Sequence, residues 1–482
     1  REALALGDDR PALERLDALL GLASLDELSG AHLLALTNLA HADSLLASDL
    51  TSQARIRLDL ARARSLLALG RTDPAATLLA HVDTLLGDAR ARFGLELELR
   101  RAELHAARGD TLGECTALER AAAVWERERG LPLDPDWRAE RGAAGREVFV
   151  RLGRRLARDT GPTSAFDRLQ AAKARALQER VRGPGAAPAD TAAPAPVTVA
   201  RLRREVLRGD DLLLDVHLSP GAGLLFAVTD DTCLAVDLHE PAALVARVEA
   251  WGDRLADPTS SASGVDATAD TLRHELLAPL AGLLAGARRV IVAPDGPLGQ
   301  IPLAALDRRS KRTWIRVPSA GLWHDLQTRP AATGGEDPGR LTILLADTSS
   351  SRPLPGAAWQ AEHLAATYAP VACRHGRLGR EALAGLGGSV LHVGAHVRAD
   401  GRNAWQSAIL LGDAPADELR AADVVGTRVS TPLVVLASCA SAGGRVLAGE
   451  GVQGLAQAFL AAGARAVVAT LWPVDDDQAA VF

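Results

Sequence analysis

Ser389-Val390-Leu391-His392-Val393-Gly394-Ala395-His396 and Thr431-Pro432-Leu433-Val434-Val435-Leu436-Ala437-Ser438-Cys439 are two short apolar runs, each ending in a group capable of chemistry. Each is too short for a self-standing helix, is rich in Val and Leu, and stops in small or polar residues. That is the pattern of a strand buried on both faces of a parallel sheet. Ligands of open α/β sheets sit beyond the carboxyl ends of the strands. His396 and Cys439 are therefore expected to face one crevice, with a histidine base beside a cysteine nucleophile.

Around these runs lie Trp405-Gln406-Ser407-Ala408-Ile409-Leu410-Leu411, the turn Ala440-Ser441-Ala442-Gly443-Gly444, the stretch Gly449-Glu450-Gly451-Val452-Gln453-Gly454, and Leu471-Trp472-Pro473-Val474-Asp475-Asp476. In this order the blocks resemble the CHAT domain, a caspase-like cysteine peptidase module related to separase and often joined to tetratricopeptide helices. The resemblance implies a cysteine endopeptidase acting on a protein substrate, with His396 as base, Cys439 as nucleophile and neither cofactor nor metal. It also implies a basic P1 residue held in an acidic S1 pocket, the family's acidic position falling on Asp476 with Asp475 beside it. One departure stands out: the family commonly has Gly directly after the catalytic His, and this chain has Val397.

The residues themselves carry the same chemistry. A thiol is a weak nucleophile until a neighbouring imidazole lowers its pKa, and Cys439 is followed by small residues whose backbone N–H groups can approach a carbonyl oxygen closely. Gly394, Ser438 and that turn are the expected oxyanion donors. His392 lies four positions before His396, on the same face of a strand. Its place inside the run makes it a structural histidine, and His396, at the carboxyl end, the base. Asp475, Asp476 and Asp477 have a second reading as the acidic first turn of a helix. A catalytically inactive scaffold that binds partners through its helices is the alternative to the enzyme. A nucleotide-binding α/β enzyme is disfavoured, since no G-x-G-x-x-G follows a strand in the right place.

Composition sets the frame. A chain of 482 residues, 48% hydrophobic and 24% charged, suits two or three globular domains. A formal charge of −6 gives no general attraction to nucleic acid or anionic lipid. No apolar run is long enough to span a bilayer, so no membrane partner is expected. Cys115, Cys233, Cys373 and Cys439 show no CxxC spacing, and neither a zinc site nor a disulfide framework is indicated; a reducing, cytoplasmic setting fits. The chain begins at Arg1 without an initiator Met and stops at Phe482 where a helix should follow the Asp run, so it is expected to be a piece of a longer protein.

Residues 1–182 read as helices rich in Ala, Leu, Arg and Glu with apolar positions every three or four residues. Breaks at Gly70 and Gly109, the first followed by Asp73 as a helix cap and Pro74, give a 39-residue interval in the range of helix-pair solenoids. An irregular helical bundle is the competing reading. A solenoid groove would hold a regulatory protein or peptide. Residues 183–197, rich in Pro, Ala and Gly, read as a linker. Residues 198–482 open with three strands around 211–238, continue through Asp295-Gly296, explained by turn chemistry alone, and end in the peptidase-like core. The expected fold class is α plus α/β: a helical repeat array followed by a caspase-like domain with a mostly parallel sheet, truncated at its carboxyl end.

Overall fold

The computed structural model describes residues 12–45, 51–87, 90–130, 135–182, 196–308, 310–329, 339–346, 353–376, 383 and 387–481. The chain forms two compact units, Arg1–Leu133 and Asp134–Phe482.

The first unit is helical: α1 (Ala12–Leu28), α2 (His32–Leu45), α3 (Ser52–Ala68), α4 (Thr72–Leu85), α5 (Arg90–Ala107) and α6 (Thr111–Arg129). They pack as successive hairpins, and in each hairpin the turn passes through a left-handed glycine: Gly30, Gly70 and Gly109, with φ of 76°, 70° and 71°. A side chain at this φ is strained, so glycine is the residue that ends a helix this way. The repeat read from Gly70 and Gly109 thus extends back to Gly30. Thr51 caps α3 by accepting from Ala54 N–H, and Asp110 caps α6 by accepting from Gly113 N–H. Asp73 is not a cap; Arg71 holds that position, and Asp73 lies in the first turn of α4. Leu16, Leu39 and Leu58 fill one core and Ile56, Leu79, Phe93 and Leu97 the next.

The second unit begins with α7 (Pro135–Ala144), α8 (Arg146–Asp159), α9 (Pro162–Leu169), α10 (Arg175–Arg182) and α11 (Val199–Glu205). Next come β1 (Asp211–Ser219), β2 (Ala222–Val228), β3 (Cys233–Leu238), α12 (Pro241–Ala256), α13 (Ala262–Leu276), α14 (Ala281–Gly286), β4 (Arg289–Ala293), β5 (Thr313–Arg316) and α15 (Ala320–Thr328). These strands make a five-stranded sheet in the order β3-β2-β1-β4-β5. Its first three strands are the expected antiparallel meander, and β1, β4 and β5 run parallel.

The remainder builds a second five-stranded sheet, a three-stranded sheet of β9–β11 and a hairpin of β13 and β14: β6 (Leu341–Ala346), α16 (Pro355–Thr367), β7 (Val371–Gly376), β8 (Val390–Gly394), β9 (His396–Arg398), β10 (Ala408–Leu410), β11 (Glu418–Arg420), α17 (Ala421–Val425), β12 (Leu433–Ala437), β13 (Arg445–Leu447), β14 (Gly451–Gln453), α18 (Leu455–Ala462), β15 (Ala466–Ala469) and α19 (Asp476–Val481). Strands β15-β12-β8-β6-β7 form a five-stranded sheet that is parallel throughout. One face buries Leu391, Val393, Val434 and Leu436 against Phe459 of α18; the other buries Ile343 and Leu345 against Ala357 and Ala361 of α16. β12 departs from the reading of a strand buried on both faces, because Leu433, Val435 and Ala437 are only half-buried. Helix α16 lies over β6 and β8 and leaves that side of β12 more open.

The packing boundary falls earlier than the composition break at 183–197, most of which lies outside the described residues. Helices α7–α10 pack with the rest of this unit through apolar side chains, Ala139 and Ala176 beside Leu447, and Leu177 and Val181 beside Leu322 and Leu326, and buried charges fix the seat. Lys173 pairs with Asp215 of β1 and donates to the Val216 and Ala293 carbonyls at 2.8 Å each, while Gln170 Nε2 donates to the Asp215 carboxylate at 2.6 Å. Arg146 pairs with Asp295 just beyond β4, and both are buried. Burial works against the charge on Asp215, yet His217 and Lys173 hold its carboxyl well below the usual range. Helical periodicity announces that a face is buried; it does not say against what.

Among the described residues no helix is long and apolar enough to cross a membrane, and the four cysteines form no disulfide. Removing one partner of a buried ion pair costs about 3–5 kcal/mol, whereas replacing both by apolar groups is often near neutral. Lys173→Met should therefore lower the urea midpoint of the second unit sharply, and Lys173→Met/Asp215→Leu should recover most of it, as followed by tryptophan fluorescence.

Candidate active site

Strands β8 and β12 pair in parallel with Gly394 opposite Ala437. His396 and Cys439 each follow two residues beyond that rung, so both leave the same edge of the sheet on neighbouring strands, which lie about 4.8 Å apart. After Gly394 the chain passes the buried Ala395 into β9, where His396 pairs with Leu410 of β10 in a small antiparallel sheet. Cys439 enters a turn instead. Both side chains are half-buried, and the Cys439 thiol donates to the Val474 carbonyl at 3.2 Å.

The Cys turn is braced from below. Ala440 adopts a left-handed φ of 50°, strained for a residue with a side chain, directly after the thiol. Ser441 Oγ, fully buried, donates toward the Ser438 and Leu436 carbonyls at 3.0 and 3.2 Å and accepts from Thr470 N–H at 3.1 Å. Thr470 Oγ1 donates to the Ser438 carbonyl at 2.5 Å. Neither Ser441 nor Thr470 stood out in the sequence, though Thr470 directly precedes the Leu471-Trp472 block.

The same bracing occupies most of the turn N–H groups expected to act as oxyanion donors. The N–H groups of Ala440, Ala442 and Gly443 donate to the carbonyls of Trp472, Thr470 and Ala440 at 3.1, 2.8 and 2.9 Å, and Ser441 N–H is directed to Thr470 Oγ1 at 3.4 Å. Gly394 is buried within the sheet, where an added Cβ would lie 3.2 Å from both Ala357 Cβ and Leu345 Cδ1. Ser438 is buried too, with a hydroxyl that meets no hydrogen-bond partner among the described residues.

His392 sits inside β8, 4% exposed, with Nε2 lacking a partner among the described residues. Burial lowers its pKa from the ordinary 6.5 to about 4, so it is a neutral core imidazole near pH 7. The acidic run has two structural tasks. Both oxygens of Asp476 accept from the start of α16, from Gly356 N–H at 2.5 Å and Ala357 N–H at 3.2 Å, and Asp475 accepts from Asp477 N–H at 3.0 Å. Asp476 thus caps a helix 120 residues upstream, a partner that local spacing could not disclose.

Asp295, read as a turn residue, is a junction. It accepts from Leu218 N–H at 2.7 Å, Gly296 N–H at 3.0 Å and Gly449 N–H at 3.1 Å while pairing with Arg146. Burial opposes its charge, but Arg146 and Lys173 hold its carboxyl below the usual range. A cavity of about 460 Å³ opens between β5 and β15, lined by Trp314, Arg316, Ala442, Val452 and Val467; neither His396 nor Cys439 reaches it. Among the described residues no group of three or more His, Cys, Asp and Glu side chains could hold a metal ion.

Residues 266–482 match the CHAT domain. Tetratricopeptide repeat protein 28 of Mus musculus is 54% identical over 56 residues, which is 12% of this chain and 2% of that protein. Among solved structures, the Saccharomyces cerevisiae separase–securin complex aligns with a TM-score of 0.44 at 9% identity, over 99% of this chain and 44% of that one. LpoA of Haemophilus influenzae aligns with a TM-score of 0.27 at 13% identity, over 81% of this chain and 72% of that one. The chain therefore spans less than half the length of the first two relatives.

Two outcomes follow from the site's packing. Asp476→Ala should destabilise the second unit by about 1 kcal/mol through loss of a helix cap and speed amide exchange at Gly356 and Ala357, whereas Asp476→Asn, which keeps one of the two acceptor oxygens, should do so less. His392, with a folded pKa below its unfolded value, contributes stability that is full above pH 6.5 and lost as pH falls toward 4. His217, buried and likewise lowered to about 4, behaves in the same way. His392→Leu should therefore flatten, without abolishing, the fall in urea midpoint across that window.

Proposed function

We propose that this chain, which carries a CHAT domain over residues 266–482, is a cysteine endopeptidase in which His396 serves as the base for Cys439. The observation that supports it most is the shared rung of β8 and β12, which delivers an imidazole and a thiol to one edge of a parallel sheet. In the proposed reaction His396 takes the thiol proton and the thiolate attacks the scissile carbonyl carbon. The tetrahedral intermediate then collapses, and the leaving amine takes a proton from the imidazolium. Water, deprotonated by the same imidazole, hydrolyses the thioester. With the N–H groups of Ala440, Ser441, Ala442 and Gly443 engaged, the oxyanion donors are assigned to backbone at the strand ends, around Gly394 and Ser438.

A basic P1 residue is part of the proposal. What supports it is negative charge close to the nucleophile: Asp475 and Asp476 follow directly after Val474, whose carbonyl the thiol contacts. Their helix-capping bonds leave each carboxylate with further lone pairs for a guanidinium. The helical repeats are proposed to bind a protein or peptide that regulates cleavage, since stacked helix hairpins present an extended concave surface. Four cysteines without a disulfide support a reducing, cytoplasmic setting. An inactive scaffold is the second reading, favoured by one observation: the N–H groups of Ala440, Ser441, Ala442 and Gly443 are directed to acceptors within the protein.

Cys439→Ala should abolish peptide cleavage, and His396→Ala should lower kcat/KM by about 10²–10⁴-fold, both without loss of thermal stability. Undiminished cleavage by Cys439→Ala would place the nucleophile elsewhere, and failure of a Cys-directed electrophile to label Cys439 would favour the scaffold. For P1, matched peptides with Arg, Lys, Ala and Asp should show a preference for Arg and Lys that Asp476→Asn erodes by more than about tenfold, because the amide keeps one cap acceptor and removes the charge.

A further inference from the structure

The hairpin of β13 and β14 starts directly after Gly444, where the Cys439 turn ends. Its base and the turn touch through bare backbone: a Cβ on Gly444 would run into the Gln453 carbonyl, and one on Gly454 into the Gly443 carbonyl. Any movement of the hairpin is therefore felt by the turn that carries the thiol.

The tip of the hairpin is gripped on three sides. Gly449 N–H donates to Asp295 Oδ1 at 3.1 Å, the Gly449 carbonyl accepts from Ala174 N–H at 2.6 Å, and the Glu450 carboxylate accepts from Ala176 N–H in the first turn of α10 at 3.0 Å. Asp295 and Glu450 are 2% and 3% exposed. Asp295 is itself held by Arg146 of α8, and Arg445 at the start of the hairpin pairs with Glu140 of α7. Ala174 takes a left-handed φ of 51° to aim its N–H, a conformation costly for alanine. A strained donor, a buried carboxylate on a backbone N–H and a second buried carboxylate at a helix start all converge on two tip residues.

We propose that this hairpin is a latch, with Asp295 and Glu450 as positioning residues. By fastening the tip to α8 and α10 they hold the Cys439 turn, with its left-handed Ala440, in the shape that presents the thiol. The latch rests on the reading of Cys439 as the nucleophile. It also makes α7–α10 the structural support through which a signal from outside the α/β layers reaches the thiol: what pulls on those helices loosens the turn.

The test uses the whole chain and reads positioning separately from cleavage. Glu450→Leu removes the acceptor at Ala176, and Glu450→Gln keeps one. Arg146→Met/Asp295→Leu removes both charges together, so that neither is stranded, and takes the acceptor from Gly449 N–H. Glu450→Leu and the double variant should raise amide exchange at Ala440 and Ala442 by roughly tenfold or more at near-native melting temperature. They should also slow iodoacetamide alkylation of Cys439 at pH 7 and lower kcat with KM nearly unchanged, while Glu450→Gln stays close to wild type. Folded variants with wild-type exchange and alkylation at the turn would overturn the latch. The wild-type protein gives a check independent of any variant: amides of Ala174, Ala176 and Gly449 should open together with that of Ala442, and a tip that opens on its own refutes the proposal. A wild type that alkylates at Cys439 but cleaves no peptide would remove the peptidase reading and leave the exchange comparison decisive for the latch.

Discussion

The parallel ladder between β8 and β12 is the constraint on which the site depends. Leu391 and Val393 of one strand and Val434 and Leu436 of the other must enter the same core beside Phe459. Because side chains alternate faces, a shift of one residue in either strand would move its apolar set to the opposite face of the sheet, away from Phe459. The register is therefore held by burial along both strands, and the strand ends inherit it. His396 and Cys439 each lie two residues past one shared rung because of the apolar residues packed along the two strands.

A second constraint is electrostatic. Lys173, Asp215, His217, Arg146 and Asp295 are buried where β1 and β4 meet the helices that precede them. Such a group is expensive to desolvate and contributes little net stability against an apolar replacement. What it supplies is discrimination: any seating of the helices that separated Lys173 and Arg146 from Asp215 and Asp295 would leave buried charges unpaired. The helices α8–α10 are thereby committed to one seat on the sheet, even though their amphipathic pattern would accept many.

Much of this was legible from the residues, and the parts that were not share a cause. The two apolar runs, the opening meander and the glycine breaks are written in short-range patterns, and Gly70 and Gly109 sit in the turns of helix hairpins. The separation of His392 from His396 was also readable, since one lies within its run and the other past its end. The task of Asp476 was not, because its partners are the first N–H groups of α16, far away in sequence. Asp295 looked complete as a turn residue because its local bond to Gly296 N–H is real; its bonds to Arg146, Leu218 and Gly449 are all long-range. Periodicity likewise marked α7–α10 as helical without revealing that they belong with the strands.

The grip of α10 on the hairpin has a consequence for the order of assembly. Ala176 and Glu450 are separated by 274 positions along the chain, and Arg146 and Asp295 by 149. Contacts this distant form late, after many shorter loops have closed, and a chain made from its amino end presents α8–α10 long before their partners exist. Lys173 and Arg146 must stay hydrated until β1 and β4 arrive, and α10 gains its cap only when the hairpin has been synthesised and folded back. The helices made early in this unit are thus among the last to be secured. A ribosome-bound chain stopped short of residue 450 would hold them in a looser, more protease-sensitive form than the finished protein does.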